Sequence, residues 1–175
     1  MKDAEIENLD VAGWPLPEEC LAELGRVAAL WATLESLLNL CLGKLAGFDD
    51  LSDPRAFILV NHMSIPQKLD VLGALCEQLS PTFETLRDYK PVISKLRAAQ
   101  KARNTFLHNG LVRNESTGKL EMGQGSARGT LKTKVASVTL ADIRRASVEI
   151  HLAHLALYKL VFRRDLAPVW EKRRP

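Results

Sequence analysis

Between residues 24 and 45 the apolar side chains fall at Leu24, Val27, Trp31, Leu34, Leu38, Cys41 and Leu45. The gaps alternate three and four, and only an α-helix puts such a series on one face. A seam of that length has to be covered by other helices rather than water. Pro17 opens the predicted helix over 17–46, Glu18 and Glu19 sit near its positive end, and Gly47 follows as a cap.

Three more segments share the period. Ser64-Ile65-Pro66-Gln67 has the form of a capping box, and Leu69, Leu72, Cys76 and Leu79 follow it. Ser80-Pro81 ends that helix and starts another, which Pro91 breaks or kinks. Beyond Pro91 the stripe is Val92, Leu96, Ala99, Arg103 and Phe106, stopped by Asn109-Gly110. Thr139-x-x-Asp142 caps a last long helix with Ile143, Ala146, Ile150, Ala153, Leu157 and Leu160 on one face. A short helix from Asp53-Pro54 to Val60 completes the set.

Residues 111–138 lose the helical period. Glu115-Ser116-Thr117-Gly118 reads as a turn between short strands, Gly123, Gly125 and Gly129 as a flexible loop, and Thr130 to Val138 as a returning strand. The expectation is an all-α bundle of four to five main helices, with a small β-hairpin insert before the last long helix. One domain spans 1–175, with a polar lead-in at 1–15, the insert at 111–138 and a mobile basic tail at 168–175.

Apolar residues make up 46% of the 175, an ordinary globular share, and no apolar run reaches the ~18 residues of a membrane span. The acidic start Met1-Lys2-Asp3-Ala4-Glu5 has no signal-like apolar core. Cys20, Cys41 and Cys76 are far apart and set among leucines, as reduced core thiols would be. A cytoplasmic protein without membrane, metal or cofactor is therefore expected. The net charge of +3 conceals a gradient: −7 over residues 1–60, +3 over 61–110 and +7 over 111–175. Such a gradient suits a polyanion-facing C-terminal half, or two halves that neutralise each other.

Arg103 breaks its own stripe. A guanidinium on an otherwise apolar seam needs an anionic partner or ligand. Glu35 of the first helix is an available partner. The local run is Arg103-Asn104-Thr105-Phe106-Leu107-His108. Asn104 and His108, four apart, share a face, while Arg103 lies about 140° from His108 at the ~100° helical step. Its long side chain can bend to that face or serve a second copy of the chain.

Arg, a polar residue and His near a helix end resemble the HEPN superfamily motif, Arg-x(4–6)-His. The bare spacing recurs here, from Arg55 to His62 and from Arg144 and Arg145 to His151, but only Arg103 has Asn next in line. The order of elements over roughly 20–165 is also similar. The resemblance implies a homodimeric, metal-independent RNA endonuclease of a defence, toxin or stress system. The alternative it implies is a non-catalytic module binding nucleotide, RNA or a protein partner. In such an enzyme His108 would move the proton of the 2′-hydroxyl, Arg103 would hold the phosphorane charge, and Asn104 would orient His or phosphate. One imidazole cannot easily be both acid and base, and a dimer brings two. A branch regulated by an antitoxin carries Tyr two residues after His; Gly110 stands there in this chain.

Lys68, Arg113, Lys132 and Lys134 are candidate contacts to an RNA backbone, with Arg128 beside them. For Lys68 the default reading is a solvated helix face. His62 reads as a loop residue. His151 and His154 lack the Cys or carboxylate neighbours of a metal site. Arg163, Arg164, Lys172, Arg173 and Arg174 make up a basic, solvated tail.

Overall fold

The computed structural model describes residues 14–48, 50, 53–126, 130 and 132–171. The lead-in up to residue 13, Gly129, Arg128 and the tail cations Lys172, Arg173 and Arg174 lie outside the described residues.

Among the described residues five helices carry the fold: α1 (Glu18–Leu45), α2 (Pro54–Asn61), α3 (Ile65–Leu79), α4 (Tyr89–Leu107) and α5 (Leu140–Phe162). Three strands stand between α4 and α5: β1 (Gly110–Arg113), β2 (Leu120–Ser126) and β3 (Lys132–Val138). The chain is mostly helical, with a small antiparallel sheet.

The stripe of α1 is the centre of the core. Val27, Trp31, Leu34, Leu38 and Cys41 are all buried. They face the stripe of α5, where Ile143, Ala146, Ile150, Ala153, Leu157 and Leu160 are buried too. Each such aliphatic side chain contributes about 1.5–3 kcal/mol by leaving water. α3 adds Leu69, Leu72 and Cys76, and α4 adds Leu96 and Ala99. The three thiols are free, and burial pushes Cys41 up to about 12 and Cys76 to about 11, which keeps both protonated and inert.

Local chemistry fixes the helix ends. The Asp53 carboxylate accepts from the Arg55 backbone N–H at 2.8 Å at the start of α2. Ser64 N–H donates to Gln67 Oε1 at 2.8 Å before α3. Thr139 N–H donates to Asp142 Oδ2 at 3.0 Å, and Asp142 N–H donates to Thr139 Oγ1 at 3.2 Å, which caps α5 reciprocally. Glu23 fastens the start of α1 to α5. Its carboxylate accepts from Arg144 Nε at 2.8 Å and from Arg26 Nη1. The bond from Arg144, then that from Arg26, holds the Glu23 carboxyl below its ordinary range. α2 lies close on α1, because Gly43 has no side chain: a Cβ there would come to 3.2 Å from the Ala56 Cβ.

Two sequence expectations change. Pro91 breaks no helix. A 3-10 turn (Glu84–Asp88) precedes α4, and Pro91 falls in the first turn of α4, where no helical partner for its missing N–H is needed. The insert is a three-stranded meander in the order β1-β2-β3 rather than a hairpin. Gly123 and Gly125 sit inside β2 and pair with Val135 and Thr133 instead of forming a loop. The glycines misled because edge-to-edge pairing needs only backbone.

The tail is partly docked. Val169 and Trp170 form part of a 3-10 turn (Val169–Glu171). The Val169 N–H donates to His151 Nε2 at 3.2 Å, and the Trp170 ring meets His151 edge-on at 5.2 Å.

Candidate functional site

Alternation along the sheet creates the site. On one face, Met122 and Val138 are buried against the bundle, with Leu120 packed beside them. Two residues further out on the same face, β2 has Gln124 and β3 has Lys134, directly paired. The apolar pairs anchor the sheet, and the polar continuation overhangs α4. Beneath it, Arg97, Lys101 and Asn104 come up at helical spacing from α4.

Between them runs an open groove of about 680 Å³. Its cations are Arg97, Lys101, Lys132 and Lys134; amides of Gln100, Asn104, Asn109 and Gln124 fill the spaces, and among the described residues no carboxylate lines it. Arg97 is tied to Asp70 on α3 at 2.7 Å, which leaves the three lysines as the untethered charges.

Asn104 belongs both to the groove and to the cluster at its end. Arg103 Nη1 donates to Asn104 Oδ1 at 3.0 Å, and the same nitrogen reaches His108 Nε2. The 140° separation on the helix is thus overcome by the length of the arginine. A guanidinium only donates, so Nε2 of His108 is the accepting nitrogen of this contact. His108 is exposed and caps α4, its backbone N–H bonded to the Asn104 carbonyl at 3.2 Å.

Trp31 explains how the stripe tolerates Arg103. The guanidinium carbon lies 5.6 Å from the Trp31 ring centroid, so a face of the indole replaces an anion as its neighbour. Among the described residues no carboxylate pairs with Arg103, and its Nε is buried without a hydrogen-bond partner.

Glu35, one turn beyond Trp31, pairs with Lys68 instead: Lys68 Nζ donates to its carboxylate at 3.1 Å. Lys68 is 2% exposed, so it is neither a solvated surface cation nor part of the groove. Arg113 also stands apart. It pairs in register with Leu120, whereas Lys132 pairs with Ser126, six residues along β2, or roughly 20 Å away at ~3.4 Å per residue. The structure therefore joins Arg103 to Asn104 and His108, brings Asn104 alone of the three into the groove with Lys132 and Lys134, and separates Lys68, Glu35 and Arg113 from them.

Sequence reasoning missed Arg97, Lys101 and Gln124. Arg97, Lys101 and Asn104 at i, i+4 and i+7 were a legible polar face; Gln124 was not, because its role depends on the β2–β3 register. His151 and His154 lie on α5 with ring centroids 6.3 Å apart, and burial, then the charge of His151, lowers the pKa of His154. His62 is exposed at the C-terminal cap of α2. Among the described residues no group of three His, Cys, Asp or Glu side chains could hold a metal ion, and no helix is long and apolar enough to cross a membrane.

Compared with family models, curated proteins and solved structures, the chain matches none. Fold and site together define a mostly helical protein with an Arg–Asn–His cluster whose asparagine also lines a cationic groove.

Proposed function

We propose that the protein is a metal-independent endoribonuclease of HEPN type, acting as a homodimer in a defence, toxin or stress system. The observation that carries this reading is the convergence of Arg103 and His108 on one another beside Asn104, which itself lines a groove whose charged lining among the described residues is cationic.

The arrangement suits attack by the 2′-hydroxyl of RNA on its adjacent phosphate. In the free site Arg103 occupies the lone pair of His108. An incoming phosphate offers the guanidinium a better, charge-assisted partner. Arg103 then turns to the phosphate and frees Nε2. That nitrogen takes the 2′-hydroxyl proton as the oxygen bonds to phosphorus, and Arg103 holds the phosphorane charge. The bond to the 5′-oxygen breaks, and the leaving oxygen takes a proton from the second copy's imidazole or from water. The products are a 2′,3′-cyclic phosphate and a 5′-hydroxyl. Asn104, bonded to Arg103, keeps the guanidinium at the mouth of the groove, while Lys101, Lys132 and Lys134 follow the backbone.

The test is incubation of single-stranded RNA with the full chain in excess chelator, followed by mass analysis of the ends. Cyclic phosphate ends, intact DNA of the same sequence and loss of cleavage in His108→Ala are expected. Cleavage that needs a divalent metal, or persists in His108→Ala, contradicts the mechanism. RNA binding without cleavage would favour the non-catalytic module, for which the engaged state of His108 Nε2 is the supporting observation.

A further inference from the structure

A second cavity lies at the opposite end of α4, where α1, α3 and α5 terminate around the 3-10 turn. It encloses about 770 Å³, within the range of small-molecule sites. Its floor is apolar, built from Leu45, Leu79, Leu86 and Val161, all packed into or against the core. Its walls are aromatic. Tyr158 and Phe162 stack at 4.9 Å between centroids, and Phe83 stands 42% exposed at the rim. The three rings and the apolar floor form one continuous apolar lining, with Tyr158 and Phe162 half-buried and Phe83 exposed.

The charge among the described residues at this rim has one sign. Lys44, Arg163 and Arg164 line the cavity, and among the described residues no carboxylate does. Among the described residues none of the three forms an ion pair. Lys44 Nζ lies 5.8 Å from the Phe162 ring and Arg163 Cζ 5.8 Å from the Phe83 ring, so both cations are held over π faces beside the hollow. Arg163 also occupies the left-handed region, with φ of 60°, at the position ending α5 where glycine is the usual residue. The chain thus carries a cation at a conformational cost, and that turn sets Arg163 over Phe83.

We propose that this cavity is a binding site for a small aromatic carboxylate, its ring between Phe83 and the Tyr158–Phe162 pair and its anionic head on Lys44 and Arg163. An apolar floor with few donors or acceptors has little to read the edge of a nucleobase or a sugar, which argues against a nucleotide. Ring walls favour a flat body over a flexible acyl chain, which loses more freedom on binding. The site is separate from the Arg103 cluster, and the proposal stands whether or not the protein cleaves RNA.

The test is calorimetric titration of the full chain with 2-naphthoate, 2-naphthylmethanol, octanoate and adenosine monophosphate. Saturable binding of 2-naphthoate is expected, about tenfold tighter than the neutral alcohol and tighter than octanoate or the nucleotide. Lys44→Gln/Arg163→Gln should weaken 2-naphthoate about tenfold and bring it level with the alcohol, and Phe83→Ala should weaken both compounds. All three positions are surface-accessible, and circular dichroism of each variant should match that of the parent chain. No saturable binding up to millimolar concentration, equal affinity for acid and alcohol, tighter binding of octanoate or the nucleotide, or indifference to the double substitution overturns the assignment.

Discussion

The two ends of α4 carry the same sign of charge on different walls. At the C-terminal end, Lys101, Lys132 and Lys134 stand among amides in an open groove. At the N-terminal end, Lys44, Arg163 and Arg164 stand among aromatic rings above an apolar floor. Charge alone would treat the two as equivalent. Amides leave a hydrated, extended polyanion free to run through, whereas rings and a floor reward burying a compact body. What separates the two sites is what surrounds the cations.

The largest effect expected from a single substitution falls on one end only. His108→Ala should lower the RNA cleavage rate by roughly 10²–10⁴, the range for general acid–base help, and leave 2-naphthoate affinity as it was. Rates on a defined RNA beside titration of the same preparation check this. A drop in both would show that the ends are not independent.

A second substitution tests the frame joining them. Glu35→Ala leaves the Lys68 ammonium buried without its partner and should cost about 3 kcal/mol, the lower end for a broken buried pair, because Glu35 itself keeps contact with water. Lys68→Met should cost less, since it leaves behind only a carboxylate that water can reach. Denaturant unfolding of the two variants measures the difference, and equal losses would mean that the burial of Lys68 is not the source.

A smaller effect lies at the histidine pair of α5. His154 has its pKa lowered by burial and then by His151, so the folded state resists its protonation. The associated stability is present above the ordinary histidine pKa of about 6.5 and declines as pH falls through it toward the lowered value. Thermal unfolding of the parent chain should weaken between pH 7 and 5 more than that of His154→Gln. Parallel curves would refute this.

How much of this was written in the chain differs between the same regions. The helices were legible because their stripes are long: Val27, Trp31, Leu34, Leu38 and Cys41 repeat far beyond chance and have one physical reading. Arg103 was legible as a residue out of place, and Asn104 and His108 as its neighbours. Its actual support was not, because a π face leaves no charge signature, so Glu35 looked the better partner than Trp31. The groove was half legible. Lys132 and Lys134 stood out as charges, but their meeting with Lys101 depends on register, and the glycines of β2 obscured the strand that sets it. The aromatic cavity was not legible at all. Lys44, Phe83 and Arg163 come from three distant segments, and only the ends of packed helices bring them together.

The measurement that bears most directly on the contrast is RNA affinity at fixed low salt for the parent chain, for Lys132→Gln/Lys134→Gln and for Lys44→Gln/Arg163→Gln. Both variants remove two positive charges, so long-range attraction falls equally in each. The account predicts a loss of about tenfold or more in the groove variant, with a shallower salt dependence by roughly 1.4 in slope for two lost contacts at ~0.7 each, and affinity near that of the parent in the cavity variant. Equal losses in the two would contradict it, and would reduce the groove to one patch of a uniformly attractive surface.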